Sequence, residues 1–219
     1  MNPERFNPIA HRYDRLNDLI SIGLHRRWKR RLVSEVGSRL APQARVLDVG
    51  CGTGDLMVEI QKLGMEGIGL DPSERMIDYA RPKLPEARFL VGGSEAIDLP
   101  DAELDGLVSA FAIRNFSDRQ QSLTEWHRVL KPGGVGGVME IFPPSAKVLK
   151  TYWQKVIPAW GRLIGHPEAY QYLRDSVTRF VDPLTLCKEI SSAGLVPLGC
   201  QRIFGYGMVS LVIFEKANE

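Results

Sequence analysis

The chain has 219 residues, 44% of them apolar and 25% charged, with 28 Lys and Arg against 26 Asp and Glu. These proportions suit a folded soluble chain of about one domain and exclude wholesale disorder. A net charge of +2 excludes a non-specific nucleic-acid binder, which carries a strong basic excess, and no apolar run reaches the roughly 18–20 residues of a membrane span.

The first segment, MNPERFNPIAHRYDRLN, has charges throughout and no apolar centre, so it does not read as a secretory signal. The even total charge hides an asymmetry. Residues 1–45 hold ten Lys and Arg against four Asp and Glu, leaving +6 there and −4 over the remainder. Residues 1–42 read as helices, a lid before the main domain. An apolar series at Ile9, Tyr13, Leu16, Leu19 and Ile20 precedes HRRWKRRLVSEV (25–36), which sets a basic face beside a modest apolar one. Such a face leans on anionic lipid or is simply solvated.

After Pro42 the pattern becomes an alternation. RVLDVG (45–50) is a first strand, residues 54–63 a helix, GIGLD (67–71) a second strand and SERMIDYAR (73–81) a helix stopped by Pro82. RFLVG (88–92) and LDGLVSAF (104–111) are strands three and four. SDRQQSLTEWHRVL (117–130) is a capped helix that ends at KPGG (131–134), a stop and turn. VGGVMEI (135–141) is strand five. Strands alternating with helices predict an α/β fold with a mostly parallel sheet and right-handed crossovers. Residues 143–180 interrupt it as a helical, aromatic-rich insertion. DPLTLCKEISSAGL (182–195) is a further helix, and residues 200–216 form two strands about a Gly-containing turn, giving an antiparallel end to a seven-stranded sheet. The whole of 1–219 reads as one domain.

The sharpest motif is DVGCGTGD, Asp48 to Asp55. Gly50, Gly52 and Gly54 follow a strand and open a helix, so the backbone can turn tightly and approach a ligand at the helix start. The spacing is G-x-G-x-G. A dinucleotide fingerprint started at Gly50 or Gly52 would need glycine or alanine where Asp55 and Met57 stand. Asp71, at the end of the second strand, can accept both hydroxyls of an unphosphorylated ribose. Asp48, just before the loop, would repel a pyrophosphate and attract an ammonium or sulfonium. Acid, loop and acid together favour S-adenosylmethionine, and the arrangement resembles the class I methyltransferase fold. That resemblance places Asp48, Gly50, Cys51, Gly52, Thr53 and Gly54 at the methionine end of the cofactor, Asp71 at the ribose, and Pro72 and Met76 beside the adenine. GGSEAIDLP (92–100) supplies the adenine acceptor in one of two registers, Glu95-Ala96 or Ser94-Glu95. Ala110 and Phe111 would pack near the sulfonium, or Phe111 is a core aromatic.

Three further segments are more specific. They are FNPIAHRYDRLNDLISIGLHRRWKR (6–30), AFAIRNFSDRQQSLTEWHRVLKPGG (110–134) and AYQYLRDSVTRF (169–180). In this order they resemble the ubiquinone/menaquinone biosynthesis C-methyltransferase family across essentially the whole chain. The resemblance implies C-methylation of a polyprenylated quinol, demethylmenaquinol first, by a cytoplasmic enzyme resting on the inner face of the membrane. A homodimer is compatible with it. Two departures stand out: Ala110-Phe111-Ala112-Ile113 precedes the Arg-Asn pair where the family often has Ser-Phe-Gly, and the loop at 99–105 is trimmed. Another small acceptor, such as a sterol or polyketide, or a silent cofactor-binding scaffold, is the alternative.

Methyl transfer from a sulfonium needs nucleophile, methyl carbon and sulfur in line, with water excluded. A ring carbon becomes a good nucleophile when the adjacent hydroxyl ionises, and it must afterwards lose a proton. Arg114 is the candidate to favour the phenolate, with Asn115 orienting the same oxygen; alternatively Arg114 pairs with an acid. Tyr13 is placed by resemblance to close over the methionine moiety. His11, Glu140 and His166 lie in segments expected to border the substrate. Tyr152 and Trp153 are expected to line a groove for the polyprenyl tail, with Tyr170, Tyr172 and Ser176 near the ring, and some of these aromatics to pack the insertion onto the sheet instead. Cys51, Cys187 and Cys200 are too scattered for a zinc site, and no cluster has metal-ligand spacing, so no metal is expected.

Overall fold

The computed structural model describes residues 17–19, 21–145, 147–163 and 167–218. A helix α1 (Leu24–Gly37) precedes β1 (Arg45–Val49), α2 (Asp55–Lys62), β2 (Glu66–Asp71), α3 (Glu74–Ala80), β3 (Arg88–Val91) and β4 (Leu104–Ala110). Then come a 3-10 turn (Ile113–Asn115), α4 (Arg119–Val129), β5 (Leu130–Ile141), α5 (Lys147–Leu163), α6 (Pro167–Arg179), α7 (Pro183–Ser192), β6 (Leu195–Phe204) and β7 (Val209–Lys216). The seven strands form one sheet in the order β3-β2-β1-β4-β5-β7-β6. The first five are parallel, and β7 runs antiparallel to both β5 and β6. This is the architecture the alternation predicted.

The near-continuous apolar strands are explained by cover on both faces. Successive residues point to opposite sides of a strand. Val46, Val108, Met139 and Ile213 therefore join one core with Leu32, Val33 and Val36 of α1 and Leu56, Met57 and Ile60 of α2. Their neighbours Leu47, Leu107, Val138 and Val212 join the other core with Leu123 and Trp126 of α4 and Leu186 and Ile190 of α7. Two glycines of β5 set how closely these layers meet. A Cβ on Gly137 would lie 2.7 Å from Leu32 and Val36, and one on Gly136 would overlap the Phe214 ring. That ring stacks on Trp126 at 6.0 Å between centroids. Helix starts follow local chemistry. Asp118 caps α4 by accepting from the Gln121 amide, and Asp182 caps α7 by accepting from Leu184 and Thr185.

The structure differs from the sequence reading in a few places. KPGG does not end before strand five; it lies inside β5, where the register against β4 jumps between Leu104–Leu130 and Gly106–Val135. The bulge absorbs the extra residues, and Gly133 takes the left-handed φ of 74° this needs. β6 starts at Leu195, five residues earlier than expected, because bulges near Pro197 and Phe204 break its alternation. His25, expected on a solvated basic face, is buried. The first expected helix lies largely outside the described residues. Among the described residues, no helix is long and apolar enough to cross a membrane.

Candidate active site

In an open parallel sheet, ligands bind beyond the carboxyl ends of the strands, where the strand order reverses. Here the reversal falls between β1 and β4, and the predicted residues gather along that rim. Gly50, Gly52 and Gly54 all adopt left-handed backbone, with φ of 74°, 53° and 85°. A side chain would strain each of these turns. The Gly50 and Cys51 amides donate to the Leu70 carbonyl at 2.7 and 3.1 Å, which ties the loop to β2. The Gly52 amide donates to Asp71 Oδ2 at 3.0 Å, and the Ser73 amide to Asp71 Oδ1 at 2.9 Å. Each oxygen of Asp71 therefore has one backbone donor and room for another. Burial pushes its pKa up, while the Ser73 and Gly52 amides oppose that.

Asp48 is the electrostatic centre of the loop. It is fully buried, and neither carboxylate oxygen has a hydrogen-bond partner among the described residues. Burial, reinforced by Asp71 and Asp55 and opposed by Lys29, pushes its pKa up to about 8. An unpartnered buried carboxylate is costly unless a cation or donor meets it. The loop therefore fits a ligand bearing positive charge, and S-adenosylmethionine has both an ammonium and a sulfonium. Lys29 is held by Asp55 at 2.8 Å, and Lys83 Nζ donates to the Thr53 carbonyl at 3.0 Å. Both lysines brace the loop, and sequence reading missed them because α1 and the segment after α3 meet the loop only in three dimensions.

The segment expected to supply the adenine acceptor points its side chains in different directions. Ser94 is buried and accepts from Trp126 Nε1 at 2.8 Å, so it is turned toward the core. Glu95 accepts from the Ser117 and Asp118 amides at the start of α4. Ala96 is exposed, and Pro72 is partly covered beside the buried Met76.

A second group follows β4. Phe111 takes a left-handed φ of 59°, which is uncommon outside glycine and asparagine. Its amide donates to the Met139 carbonyl at 2.8 Å, and its ring lies 6.3 Å from that of Trp28. Ala110 precedes it, partly covered at the strand end. Arg114 Nη1 donates to Glu140 Oε1 at 2.6 Å and to the Phe111 carbonyl at 2.7 Å, and its Nε donates to Ser176 Oγ at 3.4 Å. Glu140 is fully buried and also accepts from the Ile141 amide at 2.6 Å. Burial pushes its carboxyl above the ordinary range, with Arg114 opposing. Arg114 thus does pair with an acid, but a buried one at the rim rather than one at the surface. Tyr172 donates its hydroxyl to Asn115 Oδ1 at 2.6 Å. Arg114, Asn115, Tyr172 and Ser176 line one cleft of about 240 Å³, with Phe180 and Arg179 on its far side.

Other predicted residues sit elsewhere. Trp153 packs with Leu173 and Val177 in a small core between α5 and α6, and Tyr170 is buried where its Cβ abuts Gly161. Both fasten the insertion together rather than open a groove. Tyr13, His11, His166 and the side chain of Tyr152 lie outside the described residues. Among the described residues, no group of three or more His, Cys, Asp or Glu is placed to hold a metal ion.

A glycine loop after β1, an acid closing β2 and a sheet of this order define the class I S-adenosylmethionine-dependent methyltransferases. A SAM-dependent methyltransferase of Thermotoga maritima shares the fold with a TM-score of 0.68 at 21% identity, over 98% of this chain and 99% of that one. By sequence, the chain belongs to the ubiE/COQ5 methyltransferase family, whose model matches residues 3–214. It is 41% identical over 201 residues to the demethylmenaquinone methyltransferase of Thermus thermophilus, covering 86% of this chain and 90% of that protein. It is 35% identical over 220 residues to the ubiquinone/menaquinone biosynthesis C-methyltransferase UbiE of a Marinomonas species, covering 94% and 86%.

Proposed function

We propose that the protein methylates a ring carbon of a polyprenylated quinol, converting demethylmenaquinol to menaquinol with S-adenosylmethionine as donor. The observation that carries this reading is Arg114. It is held by Glu140, the Phe111 carbonyl and Ser176, and its Nη2 has no hydrogen bond among the described residues. A fixed guanidinium edge facing the cleft beside Asn115 suits a quinol oxygen. It lowers the pKa of that hydroxyl and stabilises the phenolate that makes the neighbouring ring carbon nucleophilic. Asn115 is oriented by Tyr172, so its amide nitrogen can donate to the same oxygen. Phe111 and Trp28 shield the approach from water.

The bound cofactor supplies an electrophilic methyl carbon on a sulfonium. On this chain, Asp48 and the loop from Gly50 to Gly54 would hold its methionine end and Asp71 its ribose. Pro72 and Met76 would flank the adenine. Since Ser94 is turned inward, the adenine amino group falls to the Glu95-Ala96 register. Tyr13 keeps its proposed place as a lid residue over the methionine moiety.

The substrate lives in a bilayer, and α1 offers a matching surface. Arg27, Arg30 and Arg31 are exposed on it, Leu24 in its first turn is 36% exposed, and Leu19 and Ile22 just before it are 50% and 89% exposed. Apolar anchors among arginines favour the interface of an anionic membrane, so the enzyme would work from the cytoplasmic side as a peripheral protein. Flotation with anionic and neutral liposomes checks this: binding should require anionic lipid and weaken with salt. Equal binding to both would remove the electrostatic part. The function itself is checked by incubating purified protein with labelled S-adenosylmethionine and reduced demethylmenaquinone, where label should enter the quinone.

A further inference from the structure

A second cavity, of about 390 Å³, opens on the same rim as the cleft but farther along the sheet, over the ends of β5, β7 and β6. Its size lies within the roughly 300–1,000 Å³ of small-molecule sites. Phe142, Pro143, Leu184, Cys187, Cys200 and Met208 supply an apolar half of its wall. Of the charged residues at its edge, Asp182 is committed to capping α7, and Arg202 stands exposed on the edge strand β6. We infer that this cavity binds the first isoprene units of the substrate's tail. The inference rests on the quinol reading above.

Three observations support it. The cavity adjoins the ring site, because β5 carries Glu140 to Arg114 and then, two residues on, sends Phe142 into the cavity wall. An aromatic contact links the walls of the two spaces: Phe142 packs on Phe180 at 5.4 Å between centroids, and Phe180 lines the Arg114 cleft. The direction also fits. The prenyl chain of such a quinol is attached to the ring carbon next to the one methylated, so it must leave the ring site at once. The glycine loop occupies the rim at β1 and β2, and the apolar space lies on the opposite side of the cleft. Finally, Leu184 lines the cavity yet remains 66% exposed at the start of α7. An exposed leucine at the mouth is suited to a chain that continues into lipid. The volume takes a few isoprene units, leaving the remainder of a long tail in the membrane. Trp153 packs within the insertion, so this cavity takes the place of the tail groove expected beside it.

Two measurements test the assignment. In the first, Cys187 and Cys200 act as reporters and the buried Cys51 as control. N-ethylmaleimide modification of wild-type protein in non-ionic detergent is followed by mass spectrometry, with and without farnesol, a tail that carries no ring. Farnesol should slow modification of Cys187 severalfold, and an unchanged rate would overturn the inference. The second compares a quinol of the same ring without a tail with a demethylmenaquinol bearing several prenyl units. Leu184→Glu, an exposed change, and Cys187→Phe, which fills the cavity, should each raise KM for the long-tailed quinol about tenfold, equivalent to two methylene groups losing burial. Neither should change kcat or KM for the tailless quinol, which does not reach the cavity. Equal effects on both quinols, or none on either, would contradict the assignment. Farnesol protection without methylation of either quinol would place the failure in the function reading rather than in the cavity.

Discussion

Replacing Asp48 with asparagine should stabilise the cofactor-free protein while abolishing cofactor binding. An ordinary aspartate titrates near 3.8, and burial pushes Asp48 to about 8. The folded state therefore keeps a proton that the unfolded chain has already lost. The stability this contributes is complete below pH 3.8 and is lost as the pH rises toward 8. Each pH unit in that window costs about 1.4 kcal/mol, for a total of about 6 kcal/mol. Between pH 5 and pH 8 the loss is about 3–4 kcal/mol, and asparagine does not undergo it. Asp71 and Glu140 are also raised by burial, but they are present in both proteins and cancel in the comparison. Asp55, Glu95 and Asp105 sit below their ordinary values, so they are ionised in both states above pH 5. Urea unfolding of both proteins at pH 5, 6, 7 and 8 gives the test. The stability of Asp48→Asn relative to wild type should grow by about 3–4 kcal/mol across that range, or roughly 10 °C in Tm for a chain of this size. S-adenosylmethionine should stabilise only the wild type. A difference that does not change with pH would refute the reasoning, whatever its absolute value.

The other predictions concern the neighbouring contacts. Asp71→Ala removes the acceptor of two backbone amides and the proposed acceptor of the ribose hydroxyls, so calorimetry should show cofactor affinity falling about a hundredfold. Glu140→Ala strands the guanidinium of Arg114, which is 9% exposed, and should lower the unfolding free energy by about 3–5 kcal/mol. Arg114→Met leaves a carboxyl that can protonate instead, so its stability loss should be the smaller of the two, as denaturant titration at pH 7 would show.

The fold was readable because the alternation of strand and helix is local, and the stops at Pro42 and Pro82 and the helix start at Asp118 lie in single residues. The limits of β5 and β6 were not, because bulges at KPGG and near Pro197 are settled by pairing with distant strands. The residues proposed to hold the cofactor were equally easy to group from sequence, as one loop and two strand ends. Glycines that follow a strand, and acids at two strand ends, keep their meaning without tertiary context. The substrate side was readable only as a set of residues. That Arg114 would meet Glu140, 26 positions away, depends on β4 and β5 lying side by side. The left-handed backbone at Phe111, the contact of its ring with Trp28 and the bracing of the loop by Lys29 and Lys83 have no local signature. Aromatic character alone leaves Tyr170 and Trp153 open to either substrate contact or packing of the insertion. Their burial assigns both to packing, a choice that only the fold makes.

The central claim is that Arg114 activates a quinol held beside the cofactor loop. Its most direct measurement is transfer of labelled methyl from S-adenosylmethionine to reduced demethylmenaquinone by wild type and Arg114→Met, with cofactor affinity measured in parallel. Wild type should methylate the quinol. The variant should bind cofactor within about twofold of wild type and lose about a hundredfold to a thousandfold in kcat. A variant that turns over near the wild-type rate, or a wild type that leaves the reduced quinol unlabelled, would contradict the account.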